Sequence, residues 1–91
     1  MIIKPAADQL DAASAALVAG QLGALDPASD VVVDLSEVSF CDSSGLKVLV
    51  TAQQRHAGAG GSLRLDRPNH LLRRLLSVCG LDTMFGVEVE T

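Results

Sequence analysis

Aromatic residues are nearly absent from this chain of 91 residues: it has no Trp or Tyr, and Phe40 and Phe85 are its only rings. That excludes the stacking platforms on which proteins hold the bases of single-stranded nucleic acid. Basic charge is short as well. Seven Lys and Arg against eleven Asp and Glu leave a formal net charge of -4, which gives no general attraction for phosphate backbones or anionic membrane surfaces. Cys41 and Cys79 stand far apart with no histidine pair beside them, so neither a disulfide framework nor a zinc signature is present. Two buried thiols in a reducing compartment are expected instead. No apolar run approaches the length that spans a bilayer, and the opening MIIKPAADQL is too short in apolar residues for a signal peptide. The expectation is a soluble, cytoplasmic chain without nucleic-acid or membrane partners, and with no cofactor or metal.

Hydrophobic residues make up 48% of the chain, enough for one small domain over residues 1–91 with a modest core. Strand and helix signals alternate. MIIK is a short strand candidate stopped by Pro5, and an Ala-rich helix is expected from Asp8 or Asp11 to about Leu25, with Leu10, Ala13 and Leu17 on one face. VVVDL, residues 31–35, is a continuous β-branched run that suits a strand buried on both faces. A second helix follows over about 44–57 and stops at the GAGG of residues 58–61; SLRLD, 62–66, alternates as a half-buried strand. Pro68 opens a third helix with Leu71, Leu72, Leu75, Leu76 and Cys79 as its apolar stripe, ending at Gly80, and GVEVE, 86–90, alternates again. The order βαβαβαβ implies an α/β fold with a small, mostly parallel sheet of about four strands and crossover helices packed on it.

Chemistry concentrates in CDSSG, residues 41–45, where a strand gives way to the second helix. Asp42 or Ser43 is placed to accept a hydrogen bond from a first-turn N–H, with Ser43 favoured as the cap. On a wheel of about 100° per residue, Leu46, Leu49, Val50 and Ala57 gather around Gln53, while Ser44 falls opposite, in line with Thr51 and Arg55 and near Lys47. Ser44 is therefore expected to point outward over the positive end of a helix, where the free N–H groups suit an anion such as a phosphate. Val48 sits beside it, an apolar side chain that a partner would cover. A nucleophile elbow around Ser43 is the competing reading, but Cys41 stands where the first glycine belongs. The two histidines, His56 on the flank of the second helix and His70 at the start of the third, read as structural or surface residues rather than a catalytic base. No catalytic residue is assigned. Arg64, Arg67, Arg73 and Arg74 read as a solvated face.

Taken together, QLDAASA, VVVDLSEVSFCDSSGLKVLV and SLRLDRPNHLLRRLLSVCGLDTMF resemble a STAS domain of the bacterial anti-sigma-factor antagonist group, over about residues 9–87. The resemblance implies a binding switch rather than an enzyme. Ser44 would be the phosphoacceptor, the partner an anti-sigma factor with serine kinase activity, and a PP2C-type phosphatase would reset the switch. Asp11, Asp42, Ser43, Ser44, Gly45, Lys47 and Val48 would form the docking surface. Members of the group carry an N-terminal hairpin that is shortened here, which leaves a sheet edge open to weak homodimerisation. It also leaves a second role within the same fold, a non-phosphorylated docking subunit of an ATPase or signalling complex.

Overall fold

The computed structural model describes residues 1–87. In chain order the elements are β1 (Ile2–Ile3), β2 (Gln9–Leu10), α1 (Ala15–Gly23), β3 (Asp30–Asp34), β4 (Phe40–Cys41), α2 (Ser43–Gly58), β5 (Ser62–Asp66) and α3 (His70–Val78). β1, β3 and β5 form a parallel sheet with β3 in the centre, and β2 and β4 form a second, two-stranded parallel sheet. Parallel neighbours need crossover connections, and α1 and α2 supply them. The α/β architecture is as the alternation implied; β4 is the short strand leading into CDSSG, but β2 was not legible as a strand. No hairpin occurs among the described residues, because β1 pairs with β3 and β2 with β4. The expected last strand falls largely on 88–90, outside the described residues.

In the β3–β5 register Val31 pairs with Leu63 and Val33 with Leu65, and all four side chains are buried. Val18 and Leu22 of α1, Leu46 and Leu49 of α2, and Leu72 and Leu76 of α3 join them in one apolar cluster. The helices therefore seal one face of the sheet. Val32, expected to be buried like its neighbours, is only half-buried, in a row with exposed Ile2 and Arg64. A continuous valine run carries no mark of which face is roofed.

Two helices start later than their sequence signals suggest. The Asp11 carboxylate accepts from the N–H groups of Ala13 and Ser14, both at 3.0 Å, while the Ser14 hydroxyl donates to the Gln9 carbonyl at 2.6 Å. This closed turn holds residues 11–14 outside α1, as local side-chain hydrogen bonds do when they compete with helix. Leu10 is consequently a buried strand residue, Leu17 is exposed, and Val18 and Leu22 form the packed face of α1. In α3 the cap is Asn69, whose side chain accepts from the Leu72 N–H at 2.8 Å. Its stripe is narrower than five residues: Leu72 and Leu76 are buried, Leu75 half-buried, and Leu71 and Cys79 exposed. Cys79, which caps the C-terminus of α3, is thus not a buried thiol.

Arg67 also departs from the solvated-face reading. Its backbone is left-handed, with φ of 52°, and its Nη2 donates at 2.6 Å to Asp34, a carboxylate only 3% exposed at the end of β3. The Ser36 N–H donates to the same carboxylate at 2.9 Å. That backbone bond first, and the Arg67 charge after it, hold the Asp34 carboxyl below the ordinary carboxylate range. A lowered folded-state pKa stabilises the fold above the unfolded value, and this contribution is lost as pH falls through the folded value. Asp34→Asn should accordingly show a flatter loss of stability than the parent from about pH 5 downward, read as urea midpoints against pH. Parallel curves for the two proteins would count against this role.

Candidate functional site

The start of α2 is determined by contacts on both sides of Asp42. Its own backbone is extended, and its Oδ1 accepts from the N–H groups of Ser44 at 2.9 Å and Gly45 at 3.2 Å. The cap is therefore Asp42, and Ser43 is already the first helical residue, with an exposed side chain. The Asp42 N–H donates to the Leu10 carbonyl at 3.0 Å, continuing the β2–β4 pairing by one residue. Gly45 completes the junction. A Cβ there would overlap the carbonyl and Cβ of Leu10, so only glycine lets the first turn of α2 press against β2.

This close approach turns the helix. The buried residues of α2 are Gly45, Leu46, Leu49, Ala52 and His56, an arc rotated by about 60° from the one centred on Gln53. Ala57 is exposed and Val50 half-buried. Ser44 is correspondingly half-buried rather than fully outward, and Ser43 is the more open hydroxyl. Val48 is no isolated apolar residue, for it packs against the core beside α1. Lys47 is exposed, and together with Val48 it lines an apolar groove of about 200 Å³ between α1 and α2. Asp11 belongs to the same corner as Asp42 and Gly45, since it follows Leu10 directly; Lys47 and Val48 lie one turn further along α2.

The two first-turn N–H groups that a phosphate would seek are already occupied by the Asp42 carboxylate. An anion on Ser44 would meet a negative charge there, which reverses the expectation of a helix end with free donors. Neither serine hydroxyl makes a hydrogen bond among the described residues, in contrast to Ser14, Ser29, Ser39 and Ser62, whose hydroxyls all do. His56 is fully buried, and its Nδ1 lies 3.1 Å from the Ser29 carbonyl. Because a carbonyl only accepts, Nδ1 carries the proton. The His56 Nε2 is buried with no hydrogen-bond partner among the described residues, and His56 stands more than three turns along α2 from either serine, so it reaches neither of them and anchors the last turns of α2 instead. Nor is Cys41 a nucleophile, as burial, with the Asp42 charge adding to it, pushes its thiol up to about 11. Among the described residues no group of three or more His, Cys, Asp or Glu is placed to hold a metal, and no helix is long and apolar enough to cross a membrane.

Residues 6–87 match the family described as Mlab, STAS domain. The chain belongs to the STAS domain family. It is also 30% identical, over 86 residues, to the anti-sigma-B factor antagonist of Bacillus subtilis (strain 168), an overlap that covers 93% of this chain and 79% of that protein. Within this STAS domain the sequence motif misassigned two parts of this corner, the cap and the packed face. It also missed Leu10, whose backbone receives the helix, and the α1 residues Ala19 and Gly23 that face Val48 across the groove. In the sequence Gly20 and Gly23 read only as residues that weaken the end of the first helix.

Two stability measurements test this account of the junction. Asp42→Ala should cost about 1 kcal/mol in urea unfolding, whereas Ser43→Ala should fall within about 0.5 kcal/mol of the parent; the opposite ranking would return the cap to Ser43. Gly45→Ala should destabilise by about 1–3 kcal/mol despite the better helix propensity of alanine, because the added methyl has backbone against it.

Proposed function

We propose that this STAS domain is a cytoplasmic anti-sigma-factor antagonist and no enzyme: unphosphorylated, it binds an anti-sigma factor with serine kinase activity, and phosphorylation of Ser44 ends that binding. A PP2C-type phosphatase returns it to the binding form. The observation that carries the reading is the 30% identity, over nearly the whole chain, to a protein described as an anti-sigma-B factor antagonist. Support comes from the corner that the Asp42-Ser43-Ser44-Gly45 turn makes with Asp11, where the Ser44 hydroxyl makes no internal hydrogen bond among the described residues. Asp11, Asp42, Ser43, Gly45, Lys47 and Val48 form the docking surface with Ser44.

The Asp42 cap supplies a physical reason for such a switch to act at Ser44. A phosphoryl group carries close to two negative charges, and here it would stand beside a carboxylate that holds the N–H groups of Ser44 and Gly45. Either the phosphate turns outward or the cap is disturbed. Both outcomes change the face offered to a partner, and the added charge repels any acidic group that had docked there.

The same geometry favours one competing reading, a docking subunit of an ATPase or signalling complex that is never phosphorylated, because the helix end offers an incoming phosphate little of its usual stabilisation. The two readings part on a single pair of variants. Incubated with ATP and the purified anti-sigma factor kinase of the same organism, the parent chain should gain one phosphate and Ser44→Ala none. Ser44→Asp should bind that kinase at least roughly tenfold more weakly than the parent. Stoichiometric labelling of Ser43 would overturn the assignment to Ser44, and tight binding indifferent to Ser44→Asp would favour the docking subunit.

A further inference from the structure

The groove between α1 and α2, with a volume of about 200 Å³, has a floor of small and apolar residues. Ala19 and Gly23 stand one turn apart on α1 and face Val48 and Ala52 of α2. A Cβ at Gly23 would meet no atom within 4 Å. The fold therefore does not require glycine there, and the missing side chain leaves the groove open. At this size, and open to solvent, the groove falls short of the roughly 300–1,000 Å³ clefts that enclose small molecules. Its shape suits the side chains of a helix laid along it.

Charge narrows the choice of helix. Lys47, Thr51 and Arg55 line the groove at successive turns of α2, which puts the two cations roughly 12 Å apart. Arg55 Nη1 donates at 3.4 Å to the Leu22 carbonyl, drawing the guanidinium across the end of α1. No acidic residue among the described ones lines the groove, and neither cation belongs to an ion pair among them. In a chain of net charge -4, a rim carrying only positive charge over an apolar floor selects a partner of opposite sign.

Resting on the antagonist reading, in which α2 faces a protein partner, we infer that the α1–α2 groove docks an acidic amphipathic helix of that partner. Small apolar side chains of the helix fill the floor over Gly23 and Val48, and two carboxylates about two turns apart meet Lys47 and Arg55. Ser44 opens the same face of α2, three residues before Lys47, so a phosphate on it competes with the partner's carboxylate for that lysine.

The test is a titration of the 15N-labelled chain with a synthetic helical peptide about five turns long, carrying Leu and Ala on one face and two Glu two turns apart, against the same peptide with Lys in place of Glu. Saturable shifts are expected at the amides of Ala19, Gly23, Val48 and Thr51. The Lys peptide should bind roughly tenfold more weakly, and Gly23→Leu should abolish the shifts. The Cβ of a leucine at Gly23 meets no atom within 4 Å, and leucine favours helix, so the spectrum away from the groove should stay unchanged; Ala19→Leu serves as a second filling variant. Absent shifts, shifts centred instead on Phe40 and Leu71, or equal affinity for both peptides would overturn the proposal. Neither kinase nor ATP enters this experiment, so the groove can fail while Ser44 is still phosphorylated, and the groove can succeed when it is not.

Discussion

The contact on which the site depends is the one between Gly45 and the backbone of Leu10. Because no Cβ intervenes, the first turn of α2 lies directly against β2, and the Asp42 N–H reaches the Leu10 carbonyl at 3.0 Å. The far end of the helix is anchored in a similar manner: His56 bonds to the Ser29 carbonyl, and a Cβ at Gly61 would overlap that same carbonyl. Anchored at both ends, α2 has little freedom to rotate about its axis. Its rotation is what sets Ser44 half-buried, Ser43 exposed and Val48 against α1.

Charge around this helix is divided. At the N-terminus the Asp42 carboxylate satisfies two of the orphan N–H groups that every helix start leaves, so the macrodipole there is already complemented by a negative side chain. Along the face toward α1 the charged residues are cations, Lys47 and Arg55. Away from this helix, the buried carboxylate of Asp34 is balanced by the Ser36 N–H and Arg67 at the end of β3. A single net charge of -4 conceals these local arrangements, each set by which elements come together.

Much of the fold was legible because period and punctuation agree along the chain. The valine run of β3, the alternation of SLRLD and the GAGG stop after α2 each have one simple reading, and each is an element boundary in the structure. A two-residue strand such as β2 leaves no period to detect. Asp11 reads as a helix starter, but its mutual hydrogen bonds with Ser14 make a turn instead. At CDSSG the presence of a cap was legible and its identity was not: Asp and Ser cap equally well in isolation, and the choice fell to Asp42 because strand pairing with Leu10 keeps its backbone extended.

The sequence by itself determined the class of this protein: an α/β chain with a strand-to-helix serine motif that resembles the STAS domain. These properties follow from composition and from local periodicity, which need no knowledge of distant contacts. Tertiary structure alone decided which serine is half-buried, which residue caps, and where a groove opens. Each of those depends on residues more than thirty positions apart, Leu10 against Gly45 and Leu22 against Arg55, and a single chain read in order carries no record of such approaches.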